Sequence, residues 1–133
     1  MLYAVKPSLL FVTETWLNEN VPTGCLDPES HYYVMRCDSK SGRGEGVCAF
    51  VHKSLCPVEI HVAANYKDNF CVLICHAALR NCVFFCVYRP SNNDDNARVY
   101  LDLLLTCLKE YTLKGHTNVI VGDLNYPDID WFT

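Results

Sequence analysis

The chain has 133 residues, half of them hydrophobic and a fifth charged, with a net charge of −4. That length and balance fit one folded domain with a real core and exclude a wholly disordered chain. The acidic balance alone speaks against a basic nucleic-acid footprint, but not against a metal-dependent nuclease, where clustered carboxylates are offset by a cation.

No apolar run approaches the ~20 residues of a membrane span. The N-terminal MLYAVKPSLLFVTETW places Lys6 and Pro7 ahead of a short apolar run and does not read as a signal peptide. The nine cysteines are odd in number, irregular in spacing and lack a C-x-x-C, unlike a secreted disulfide framework. Cys71/Cys75 and Cys82/Cys86 are each four apart within expected strands. Side chains at that spacing share a face but lie roughly 13 Å apart, too far to chelate one zinc. The cysteines therefore read as reduced, small core hydrophobes, with no disulfide-linked partner, in an intracellular setting, nuclear or cytoplasmic.

In chain order, residues 8–12 (SLLFV) read as a buried strand, and Glu14 stands just past its C-terminal end. Residues 18–30 form a loop punctuated by Pro22, Gly24 and Pro28. Residues 32–37 are a strand. Residues 38–46 (DSKSGRGEG) are a polar glycine-rich loop that either cradles a phosphate through backbone N–H groups, with Arg43 among them, or simply joins two strands. It is no P-loop, since the G-x-x-x-x-G-K-[ST] pattern is missing. Strands follow at 47–52 and 58–63, then at 70–77 and 82–88 as a hairpin whose strands are apolar on both faces. Such strands belong in the middle of a layered fold. Tyr88-Arg89-Pro90 closes the second of them, as a pair of phosphate donors or as a capping turn.

The asparagines and aspartates of 92–96 suit a helix cap. A helix is predicted over 97–114, with Leu101, Leu104, Leu105, Leu108 and Tyr111 as its apolar stripe, Lys114 at its negative end and Gly115 just beyond. It feeds Val119-Ile120-Val121, a short run suited to a buried strand, which Gly122 breaks before Asp123 and Asn125. The residues 126–131 (YPDIDW) read as a turn packing back on the protein. A carboxylate and an amide at a strand mouth are held rigidly yet open to a ligand. Glu14 stands to the first strand as Asp123 does to the last, and two such acids suit a divalent cation. The five histidines, His31, His52, His61, His76 and His116, form no HExxH or zinc-deaminase pattern, and no G-x-S-x-G is present.

Four motifs in this order, TETWL (13–17), the loop 36–46 before VCAFVH, YRP (88–90) and GDLNYPDIDW (122–131), resemble the endonuclease/exonuclease/phosphatase domain. More narrowly they resemble its apurinic-endonuclease-like branch in non-LTR (LINE-type) retrotransposons. The resemblance implies a partial four-layered α/β sandwich, a single domain over 1–133 that is incomplete at both termini. It implies Glu14 as a metal ligand for Mg²⁺, or alternatively Mn²⁺. Tyr88, Asp123 and Asn125 become catalytic residues, and Arg89 and Arg43 substrate contacts. The partner is DNA, with a reverse transcriptase downstream in a full-length element and no membrane. The family's first strand with its asparagine, and its terminal Ser-Asp-His, have no counterpart here. Impaired phosphodiester hydrolysis is therefore expected, the alternative being a non-catalytic retroelement relic or binding module.

Overall fold

The computed structural model describes residues 2–40, 44–90 and 97–126. Its elements are α1 (Leu2–Val5), β1 (Leu9–Thr13), β2 (Tyr32–Cys37), β3 (Val47–His52), β4 (Pro57–Ile60), α2 (Ala64–Lys67), β5 (Cys71–Ala77), β6 (Cys82–Tyr88), α3 (Ala97–Tyr111) and β7 (Thr117–Asp123). They build two sheets. One has the order β1-β3-β2 and is antiparallel throughout. The other has the order β4-β5-β6-β7. Its first pairings are antiparallel, and β6 and β7 run parallel, as they must when α3 is the crossover between them.

Alternation along β5 and β6 explains the layering. Cys71, Leu73, Cys75, Cys86 and Tyr88 face the first sheet and pack against Met35, Val47, Ala49 and Val51. Val72, Ile74, Val83, Phe85 and Val87 point the other way, onto Leu104 and Cys107 of α3 and Tyr66 of α2. Both faces of this hairpin are thus buried, which is why its sequence shows no polar face. The outer face of the first sheet, Tyr32, Cys48 and Phe50, is covered by Leu2 and Leu26. There Asp27 is buried but satisfied, accepting from the Tyr3 hydroxyl at 2.6 Å and the Tyr32 N–H at 2.8 Å. Burial desolvates this carboxylate, yet those donors hold its pKa below the usual value.

Several expectations change. The strand expected over 58–63 begins at Pro57 and ends at Ile60, on a sheet edge where proline's missing N–H costs no ladder bond. α3 stops at Tyr111, short of Lys114, because the Asn118 side chain takes over the chain end: its Oδ1 accepts from Leu113 N (3.2 Å) and its Nδ2 donates to Leu113 O (3.1 Å). The apolar stripe is also rotated. Leu105 is exposed, while Cys107 is fully buried beside Leu104. β7 is not a buried strand. It pairs only with β6 among the described residues, and Ile120 is 51% exposed. Gly122 does not end it: the strand runs through to Asp123. The cap at 92–96 and the turn beyond Tyr126 lie outside the described residues. All nine cysteines are free. Five are buried, and Cys25 and Cys56 are exposed.

Candidate active site

The C-terminal ends of β1, β6 and β7 meet at one end of the sandwich. In the register of the second sheet Tyr88 lies beside Asp123, so both side chains stand on the face turned toward the first sheet. β1 packs against β6 and β7, and the residue following its end is Glu14. The Tyr88 hydroxyl donates to Glu14 Oε1 at 3.2 Å, bridging the two sheets. Burial raises the Tyr88 pKa, helped by that hydrogen bond and by the charges of Glu14, Asp123 and Glu45. The phenol is thereby kept protonated, as a donor.

Three of the seven described non-glycine residues with positive φ lie at this end. Glu14, Trp16 and Asn125 are non-glycine residues with φ of +53°, +56° and +46°. Such conformations persist only where the surroundings over-determine them. For Glu14 and Trp16 the surroundings are the end of the glycine-rich loop: Thr15 N donates to Gly46 O (3.4 Å) and Trp16 N to Glu45 O (3.2 Å). For Asn125 they are Asp123 and Arg89. Asn125 N donates to Asp123 Oδ1 (2.9 Å), and Asn125 Nδ2 donates to Arg89 O (2.7 Å). Gly122 makes this possible. Its φ is +134°, and a Cβ there would lie 1.9 Å from Val87 O, so β6 and β7 approach this closely only without a side chain.

Arg89, expected as a substrate contact, is buried, and its Nη1 has no hydrogen-bond partner among the described residues. It is 3% exposed, with Nε donating to Leu124 O and Nη2 to Asn125 O, each at 2.7 Å, and its guanidinium faces the Tyr126 ring at 5.8 Å. Two of its donors are thus committed to loop carbonyls beneath the surface, not to a ligand. Arg43 lies outside the described residues. The structure therefore brings together Glu14, Tyr88, Asp123 and Asn125. His76 and His116, whose rings lie 4.9 Å apart, sit toward the opposite end of the second sheet. Sequence reasoning missed Glu45, whose charge bears on Tyr88, and the requirement for glycine at 122. The second was marked by a glycine inside a strand pattern, a sign of close backbone approach.

Among the described residues no three His, Cys, Asp or Glu side chains converge on one point. A magnesium-type ion is commonly held by one or two carboxylates, with water and phosphate oxygens completing the shell. Glu14, bonded to Tyr88, and Asp123, in register with it, fit that sparse donor set.

No family model and no curated protein matches the sequence. Solved structures do match the fold. One described as an AP endonuclease from Archaeoglobus fulgidus superposes with a TM-score of 0.65 at 17% identity, over 93% of this chain and 49% of that one. A humanized D. rerio TDP2 carrying 14 mutations superposes with a TM-score of 0.61 at 13% identity, over 96% of this chain and 52% of that one. The chain spans about half the length of each of these structures. With two packed sheets and an outer layer on each, its fold is a partial α/β sandwich of the endonuclease/exonuclease/phosphatase type.

Proposed function

We propose that the chain is a metal-dependent phosphodiester hydrolase domain acting on DNA, with impaired turnover, of the kind that nicks target DNA for a LINE-type retrotransposon, inside the cell and with a reverse transcriptase downstream. The observation that carries this reading is the Tyr88–Glu14 hydrogen bond between the sheets, with Asp123 and the strained Asn125 at the same strand ends. The retrotransposon branch is supported by the YRP and GDLNYPDIDW motifs.

Each residue has a role in this reading. Glu14 would hold Mg²⁺, or Mn²⁺ in its place, and the bound ion would supply Lewis-acid polarisation of a phosphoryl oxygen. Asp123 aligns the attacking water by accepting its proton. Tyr88, kept protonated, donates to a non-bridging phosphate oxygen. Asn125 orients the phosphate from its fixed left-handed backbone, and Arg89 positions Asn125 from below.

The test is nicking of supercoiled plasmid by the purified chain with Mg²⁺, beside Glu14→Ala and Asp123→Ala. Nicking that both substitutions abolish supports the reading. Nicking that survives both identifies a contaminant and removes it. A folded chain that binds DNA without nicking supports the alternative, a non-catalytic binding module.

A further inference from the structure

At the end of the second sheet away from Glu14 and Tyr88, two histidines from separate elements stand side by side. His76 lies in β5, and His116 sits in the connection from α3, directly before the first residue of β7. The sheet brings them together: His76 pairs with Val83 of β6, and Val83 with Asn118 of β7. Their ring centres are 4.9 Å apart, with the ring planes at 67°. Both residues are partly exposed. Residues 112–115 before His116 and Val58 opposite His76 are exposed, so the pair lies open to solvent.

We propose that His76 and His116 form a bis-imidazole site for a transition-metal dication of the Zn²⁺, Ni²⁺ or Cu²⁺ class. The spacing suits it. A metal–nitrogen bond of about 2.0–2.1 Å puts the ring centre about 3.2 Å from the ion, so two rings sharing one ion at about 90–109° have centres about 4.5–5.2 Å apart. The observed 4.9 Å lies inside that range. Among the described residues no third His, Cys, Asp or Glu joins the pair, so water completes the shell. Imidazole donors favour these ions over Mg²⁺. Bound there, the ion ties β5 to the start of β7 across β6, and β7 has no other described strand neighbour.

The hydrogen bonds point the same way. His116 Nδ1 lies 3.1 Å from Lys114 O. A carbonyl only accepts, so Nδ1 carries the proton, and the neutral ring keeps its lone pair on Nε2. A backbone carbonyl on the far nitrogen is what commonly fixes the tautomer of a metal-binding histidine. Asn118 Nδ2 holds the same residue by donating to His116 O at 3.0 Å. On the other ring, His76 Nε2 is buried and has no hydrogen-bond partner among the described residues. Buried polar atoms are rarely left so, and a bound ion satisfies one. The site is separate from the proposed nuclease centre and does not depend on it.

The experiment titrates the reduced full chain, free of Mg²⁺, with Ni²⁺ in a calorimeter. One ion per chain is expected. His116→Ala, a change in an exposed connection, should weaken binding more than about tenfold. The double variant Cys25→Ser, Cys56→Ser, which removes the two exposed thiols, should leave it unchanged. Saturating Ni²⁺ should raise the melting temperature of the wild-type chain and not that of His116→Ala. A second measurement needs no variant: in a Zn²⁺ titration followed by NMR, the ring nitrogen signals of His76 and His116 should shift together while those of His31, His52 and His61 stay. Absence of binding, Ni²⁺ affinity unchanged in His116→Ala, loss of binding in the serine double variant, or Zn²⁺ shifts confined to the other histidines would each overturn the proposal and leave an edge-to-face ring contact.

Discussion

Arg89 and Asn125 hold each other by reciprocal bonds: the Asn125 side chain donates to the Arg89 carbonyl, and the Arg89 guanidinium donates to the Asn125 carbonyl, both at 2.7 Å. With a third bond to Leu124 O, this buried cation holds the loop that turns through Asn125 at φ +46°. Arg89→Met would leave those carbonyls without their donors, at a cost of about 2–4 kcal/mol. The expected observation is a lower urea midpoint at unchanged m-value. Arg89→Lys should recover only part of the loss, because one ammonium does not reproduce a planar fork. A wild-type midpoint for Arg89→Met would show that the loop holds its shape without the clamp.

Gly122→Ala is expected to be the most damaging small substitution in the second sheet. The methyl would overlap Val87 O at 1.9 Å, in a backbone conformation alanine rarely adopts. Relief requires β7 to move off β6, so a loss of more than about 4 kcal/mol is expected. Amide exchange separates the local effect from the global one: β7 should lose protection before β1 to β3 do.

Tyr88→Phe distinguishes positioning of the site from stability of the fold. The lost Tyr88–Glu14 hydrogen bond, at 3.2 Å and only partly buried, is worth at most about 1 kcal/mol to folding. Under the proposed function the same change removes a donor to the phosphate, and nicking should fall by about 10²–10³. Thermal melting and plasmid nicking on one preparation check both arms. Equal, small effects on each would remove Tyr88 from the catalytic set.

Tyr66 gives a signed pH prediction. Its hydroxyl donates to Glu110, and that bond, with burial, raises its pKa from 10.0 to about 12. A pKa raised by folding favours the protonated form. The contribution is therefore full below pH 10 and is lost as pH rises through about 12. Wild type should exceed Tyr66→Phe in stability near neutral pH, and the gap should close across that alkaline window. A gap that is constant with pH would mean that the hydrogen bond is not what sets the Tyr66 pKa.

Much of the fold was legible because strands report their faces locally. The bounds of β2, β3 and β6 coincide with their apolar runs, and the two-sided hairpin announced its central place. The errors arose where a partner distant in sequence decides. Leu104 and Leu105 are equally apolar, and only the fall of α3 on the sheet selects Leu104 with Cys107. β7 has the composition of a buried strand but only one described neighbour. Arg89 has the chemistry of a phosphate donor, and nothing in YRP reveals that two carbonyls 35 and 36 residues away occupy it. What the sequence does mark is their place: Glu14 follows β1, while Tyr88 and Asp123 close β6 and β7, where apolar runs give way to polar residues.

The parallel crossover through α3 also sets an order of assembly. Arg89 meets Asn125 across 36 residues, within the β6–α3–β7 unit. Glu14 reaches Tyr88 only across 74 residues, and only once both sheets have docked. Longer closures delay the contacts that depend on them. One half of the site is thus expected to form early with its own strand pair, and the half bearing Glu14 to arrive last. In pulse-labelled refolding, amides of β6 and β7 should gain protection ahead of those at the end of β1.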